Sequence, residues 1–141
     1  MCSSDLSANH LSLQDVSGFD FNDMAAENRA QMAIEANLLA YADSAHVDKD
    51  ENAAKQFTAW TWLAFRLKAE KLSAMLTGIK STIDREIANG HDELEGLGGW
   101  IAAEMIIQLE AAKKSKKIDD DSYNRAMDSL RSISGVELKK I

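Results

Sequence analysis

The chain contains no proline, a residue that normally supplies about 5% of a protein and interrupts helices where it falls. Long, unbroken helices are therefore permitted. Cysteine is almost absent as well. The single Cys2 excludes an internal disulfide framework and a cysteine-based metal quartet, and it favours a reducing, cytoplasmic setting. No apolar run approaches the ~18 residues of a membrane-spanning helix, and no basic start leads into an apolar stretch as in a secretory leader. The expectation is a cytoplasmic protein with no membrane partner.

Positive charge is also scarce, and the formal net charge is −7. That balance argues against a protein that coats nucleic acid or lies on an anionic membrane, since both need a net basic surface. The distribution is uneven. Residues 1–60 hold ten acidic and three basic side chains, whereas residues 111–141 hold five acidic and eight basic ones. Ends of opposite sign suit head-to-tail association.

What is present is 141 residues with a 45% apolar fraction, enough for one domain with its own core. The opening Met1-Cys2-Ser3-Ser4-Asp5-Leu6 equals the translation of GTG TGC TCT TCC GAT CT, the end of a common sequencing adapter, with GTG as start. On that reading residues 1–6 are an artefact fused to an environmental gene fragment, and Cys2 is not native. Residues 7–19 show no sustained period and read as a flexible arm. Residues 20–141 read as a single helical domain.

Within that domain the pattern predicts an all-α bundle of about four helices. Helix one starts from an Asp20 or Asn22 cap and ends near His46, through Met24, Met32, Ile34, Leu38, Leu39 and Tyr41 in Ala-rich sequence. Asp48, with Glu51 three residues on, reads as the cap of a long central helix over about 48–89, stopped at Asn89-Gly90. Trp62, Phe65, Ala69, Leu72, Leu76, Ile79 and Ile83 follow alternating spacings of three and four along it, the seam of coiled-coil or bundle packing. Phe57, Trp60, Leu63 and Leu67 lie off that seam, so the helix needs cover on more than one side. Helix three starts at Asp92 or after the glycines Gly96, Gly98 and Gly99, with Leu94, Leu97, Ile101, Met105, Leu109 and Ala112 on one face. Ile118 and Tyr123 flank Asp119 as a hydrophobic staple, opening helix four with Met127, Leu130 and Ile133 inward and Ser134-Gly135 as its stop.

Recognisable chemistry is sparse. His10, His46 and His91 stand alone, without the spacing that aims two ligands from one helical face, so no metal or other cofactor is expected. Asp48-x-Asp50 and Asp119-x-Asp121 begin like calcium loops. However, Ala53 and Asn124 occupy the glycine position, and Ala59 and Leu130 replace the bidentate glutamate, so these aspartates read as helix caps. Gly96-Leu97-Gly98-Gly99 follows no strand and precedes no Gly-Lys-Ser/Thr, which makes it a helix break or close-packing site rather than a phosphate loop. No serine or cysteine nucleophile has a local partner set, and no catalytic residue is assigned.

Two groups remain. Lys113, Lys114, Lys116 and Lys117 crowd a helix end, where they complement its dipole or meet phosphates or an acidic partner; no aromatic side chain is interleaved to stack bases. Trp60, Trp62, Phe65, Leu72, Leu76 and Ile79 offer more apolar surface than one seam uses, as in a core completed by another subunit. The leading expectation is a non-enzymatic helical assembly or protein-interaction subunit, a homo-oligomer or part of a larger complex. The alternative is an accessory subunit of a nucleic-acid complex, from a phage or mobile element, contacting phosphates through those lysines.

Overall fold

The structure is a computed structural model that describes residues 11–134. Residues 1–10, with the adapter-like hexapeptide and His10, and residues 135–141, with Gly135, lie outside the described residues. The described chain is all helical: α1 (Leu13–Ser17), α2 (Met24–His46), α3 (Glu51–Ala64), α4 (Ala69–Ala88), a 3₁₀ turn (Asp92–Leu94), α5 (Leu97–Lys114) and α6 (Asp120–Ser134). The bundle is as expected. Its helix count is higher, because the long central helix is two helices and part of the arm is ordered.

The described part of the arm, residues 11–19, is a capped helical turn. Ser12 Oγ accepts the Asp15 N–H at 3.0 Å while Asp15 returns a bond to the Ser12 N–H at 3.2 Å, a complete capping box. Val16 is fully buried and anchors α1 to the core.

The break at residues 65–68 has a tertiary cause, since neither glycine nor proline stands there. The Arg66 and Leu67 N–H groups bond to the Leu63 and Ala64 carbonyls, tightening the last turn of α3, and Lys68 then turns extended (φ −65°, ψ 155°). Contacts from the N-terminal segment hold this corner. The Glu27 carboxylate, on a residue only 3% exposed, accepts the Lys68 N–H at 2.9 Å. Lys68 Nζ bonds to the Phe21 carbonyl at 2.7 Å, Arg66 donates to the Ser17 carbonyl at 2.7 Å, and the Arg66 guanidinium lies 4.3 Å from the Phe21 ring. Glu27 thus satisfies from α2 one free N–H at the start of α4, to which Lys68 itself gives no side-chain cap. Folding back here lets the chain bury both apolar sides of residues 57–83, which one straight helix would leave partly in water.

The remaining ends are set locally. Asp23, Asp50 and Asp119 are the caps of α2, α3 and α6; Asp50 accepts the Asn52 and Ala53 N–H groups, and Asp119 Oδ1 accepts that of Ser122 at 2.7 Å. The caps stand three residues beyond the expected Asp20, one beyond Asn22 and two beyond Asp48, because aspartates crowd both junctions. Gly90 (φ 104°) closes α4 as the glycine stop predicted, with the His91 N–H on the Glu86 carbonyl.

The end of α5 repeats that geometry with a lysine. Lys116 sits at φ 63°, its N–H bonds to the Lys113 carbonyl, and the Lys117 N–H reaches the Ala112 carbonyl at 2.8 Å. A non-glycine residue in this conformation is strained by roughly 1–2 kcal/mol. Lys116→Gly is expected to raise the unfolding free energy by about 0.5–1 kcal/mol after glycine's extra chain entropy is subtracted. Urea denaturation checks this, and a loss of stability would contradict it.

Packing joins the hairpin α2–α3 to the group α4, α5 and α6. Asn28 hydrogen-bonds Lys71, and Glu35 abuts Gly78, so α2 and α4 pair in the same order. Phe57 meets Trp100 edge-on at 5.0 Å, and Trp62 reaches Gln108, so α3 and α5 also pair in the same order. One continuous core contains Ile34, Leu38, Phe57, Trp60, Leu76 and Met105. Where α5 meets the end of α6 the backbones nearly touch: a β-carbon on Gly98 would lie 2.6 Å from the Ile133 carbonyl oxygen, whereas one on Gly99 would meet nothing within 4 Å. The glycine cluster is therefore a helix start at Gly96 (φ 90°) followed by a close-packing site at Gly98.

Candidate functional site

The six aromatic and seam residues singled out in the sequence do not form a surface. Trp60 is 2% exposed, and Phe65, Leu72, Leu76 and Ile79 are likewise buried in the chain's own core. These side chains are enclosed within a single copy of the described chain. The reason is the break at 65–68, which brings α2 and α6 over the faces a partner was expected to cover. Trp62 is the exception. It is part-buried, with its ring edge-on to Phe65 at 5.8 Å and its Nε1–H donating to Gln108 Oε1 at 2.8 Å.

Gln108 leads to a face that the sequence pattern missed. On α5 the side chains of Leu97, Ile101, Met105, Leu109 and Ala112 are buried as expected, but Ile107 points out and is 59% exposed. Trp100, Ala103, Ile107 and Ala111 fall within about 80° of helical arc on that outer side. Ala103 and Ala111 are exposed, and Trp100 is part-buried between His46 and Phe57. The signal in the sequence is the pair Ile106-Ile107: adjacent helical residues point about 100° apart, so one inward face cannot hold both. Among the described residues, Met24 and Met32 on α2 are the other large apolar side chains left exposed.

The lysines at the end of α5 are all exposed and have different surroundings. Lys113 Nζ sits 4.3 Å from the centre of the Tyr123 ring. Burial and a hydrogen bond to Glu110 push the Tyr123 hydroxyl above its ordinary value. Lys114 continues the line of Ile107, Lys116 makes the strained turn, and Lys117 borders a polar cleft with Lys68, Asp119 and Asp121. Bonds from Ser122 hold the Asp119 carboxyl below its ordinary value, as befits a cap. Asp121 pairs with Arg125 at 3.2 Å.

His46 packs beside Trp100, and His91 lies 3.2 Å from Glu93 and 3.4 Å from Glu86. Among the described residues, no group of three or more histidine, cysteine or acidic side chains is arranged to hold a metal ion. Among them, too, no helix is long and apolar enough to cross a membrane.

Glu35 carries the clearest local electrostatic cost. It packs against the backbone of Gly78, where a β-carbon would stand 3.0 Å from its Oε2, and burial raises its carboxyl above the ordinary 4.5. The native state therefore holds the proton more tightly than the unfolded chain does. Ionisation costs stability as pH rises through the native value, and the cost vanishes below 4.5, where both states are protonated. Glu35→Gln is expected to raise the melting temperature at neutral pH and to leave it unchanged at about pH 4. Equal gains at both pH values would point to a cause other than ionisation.

Comparison of the chain with protein-family models, with curated proteins and with solved structures finds no match.

Proposed function

We propose that this protein is a non-enzymatic helical interaction subunit that works in the cytoplasm and associates through the outer face of α5, with Trp62 at its edge. One observation carries the reading: Ile107 stands 59% exposed in line with Trp100, Ala103 and Ala111, on a helix whose opposite face is already buried. A side chain of this size gains roughly 1.5–3 kcal/mol when it leaves water, which a partner surface can supply. Aromatic groups beside it, with charged residues around the margin, match the anatomy of protein interfaces.

The nucleic-acid alternative through Lys113, Lys114, Lys116 and Lys117 draws less support. Lys113 is occupied by Tyr123, and Glu110, Asp119, Asp120 and Asp121 surround the group with opposing charge.

Ile107→Glu tests the reading. The wild-type chain is expected to sediment above its 15.5 kDa monomer mass in a concentration-dependent way, and the variant to sediment as a monomer with an unchanged helical spectrum. An assembly indifferent to this substitution, or a wild type that stays monomeric into the submillimolar range, would contradict it.

A further inference from the structure

The face on α5 is self-complementary in two independent respects. Along the helix, large and small side chains alternate: Trp100, Ala103, Ile107, Ala111. If a second helix of the same sequence is laid against it in the opposite direction, centred between Ala103 and Ile107, Ile107 of each copy meets Ala103 of the other. Trp100 likewise meets Ala111. Every bulky group falls on a small one, which is what close helix packing needs. A helix laid in the same direction would set Trp100 on Trp100 and Ile107 on Ile107, leaving gaps at the alanines.

Charge follows the same rule. Asp92, Glu93 and Glu95 immediately precede α5, and the turn holding Asp48 and Asp50 lies at this end too, since His46 packs beside Trp100 and Gly96. Lys114, Lys116 and Lys117 stand at the other end, with Lys114 on the face of Ile107. Antiparallel pairing sets Lys114 of one copy beside Glu95 of the other, twice over by symmetry. Parallel pairing would oppose lysine to lysine and acid to acid.

We propose that the occupant of this face is a second copy of the chain, docked antiparallel along α5 about a two-fold axis passing between Ala103 and Ile107. The pairing is isologous, so it closes at a dimer rather than growing into a filament. This proposal rests on the reading of α5 as the contact surface and adds the partner and its direction.

Charge reversal in the full-length protein tests it, with the dimer dissociation constant measured by sedimentation equilibrium. Lys114→Glu and Glu95→Lys are each expected to weaken the dimer about tenfold at low salt, because each creates two like-charged contacts. The double variant Lys114→Glu/Glu95→Lys is expected to recover to within about threefold of wild type, and an equimolar mixture of the two single variants to form the heterodimer in preference to either homodimer. Self-association of Lys114→Glu alone as tight as wild type would fit residue 114 facing its own copy, glutamate replacing lysine on both sides, and would overturn the antiparallel arrangement. A dimer dissolved by Ile107→Glu but indifferent to both charge reversals would overturn this proposal while leaving the contact surface in place. A monomeric wild type, or an oligomer indifferent to Ile107→Glu, would remove the proposal and the reading beneath it together.

Discussion

Gly98→Ala is expected to lower the unfolding free energy by about 1–3 kcal/mol, although alanine is the better helix former. The added β-carbon would stand 2.6 Å from the carbonyl oxygen of Ile133. That obstacle is backbone, so it cannot rotate away, and α5 and α6 must separate at a contact where Ile133 and Leu97 are both buried. Gly99→Ala is the control. Nothing lies within 4 Å of its β-carbon, so it is expected to be neutral or to gain up to about 1 kcal/mol from helix propensity. Chemical denaturation of the two variants under the same conditions separates the effects. Equal stabilisation by both would mean that the helices do not approach as closely as described.

Trp60→Ala is expected to cost about 3–5 kcal/mol, a large share of the 5–15 kcal/mol that holds a typical domain together. Its ring is enclosed by the chain's own helices, and the cavity left behind cannot be filled from solvent. Trp62→Phe, two residues away, keeps the edge contact to Phe65 and gives up the bond to Gln108, for about 1 kcal/mol. The contrast decides between two uses of one aromatic cluster. If Trp60→Ala remained as stable as wild type while its assembly dissolved, Trp60 would belong to an interface after all.

Much of the bundle was legible because its signals are local or periodic. Asp119 as a cap, Gly90 as a stop and the inward face of α5 each follow from a few neighbouring residues, and the structure places them as read. Of the seam from Trp62 to Ile83, Phe65, Leu72, Leu76, Ile79 and Ile83 are buried, and Trp62 and Ala69 are part-buried. The division of the long helix was not legible in the same way. Residues 65–68 have no glycine or proline, and they turn because Glu27, Phe21 and Ser17, some forty to fifty positions earlier, take up their polar groups. One trace does exist. Leu63, Phe65 and Leu67 recur at every second position, and all three are buried, which a one-sided helix cannot arrange.

The burial of the aromatic cluster was not legible for a related reason. An excess of aromatic residues suits cover by a partner, and a chain that folds back on itself can supply the same cover. What it leaves uncovered is quieter in sequence: one isoleucine beside another, and two alanines spaced to receive large side chains. Composition cannot distinguish such a face from an ordinary solvent-exposed one. Only the burial of Leu97, Ile101, Met105 and Leu109 on the far side shows that Ile107 is surplus to the core.

The three tryptophans report on this division in a single measurement. Their indole N–H resonances can be followed by heteronuclear NMR as the full-length protein is diluted from submillimolar to low micromolar concentration. The signals of Trp100 and Trp62, on and beside the outer face of α5, are expected to shift together with one dissociation constant, while that of Trp60 stays fixed. Trp60 shifting with concentration, or Trp100 and Trp62 staying still while the protein changes mass, would contradict this division between core and contact surface.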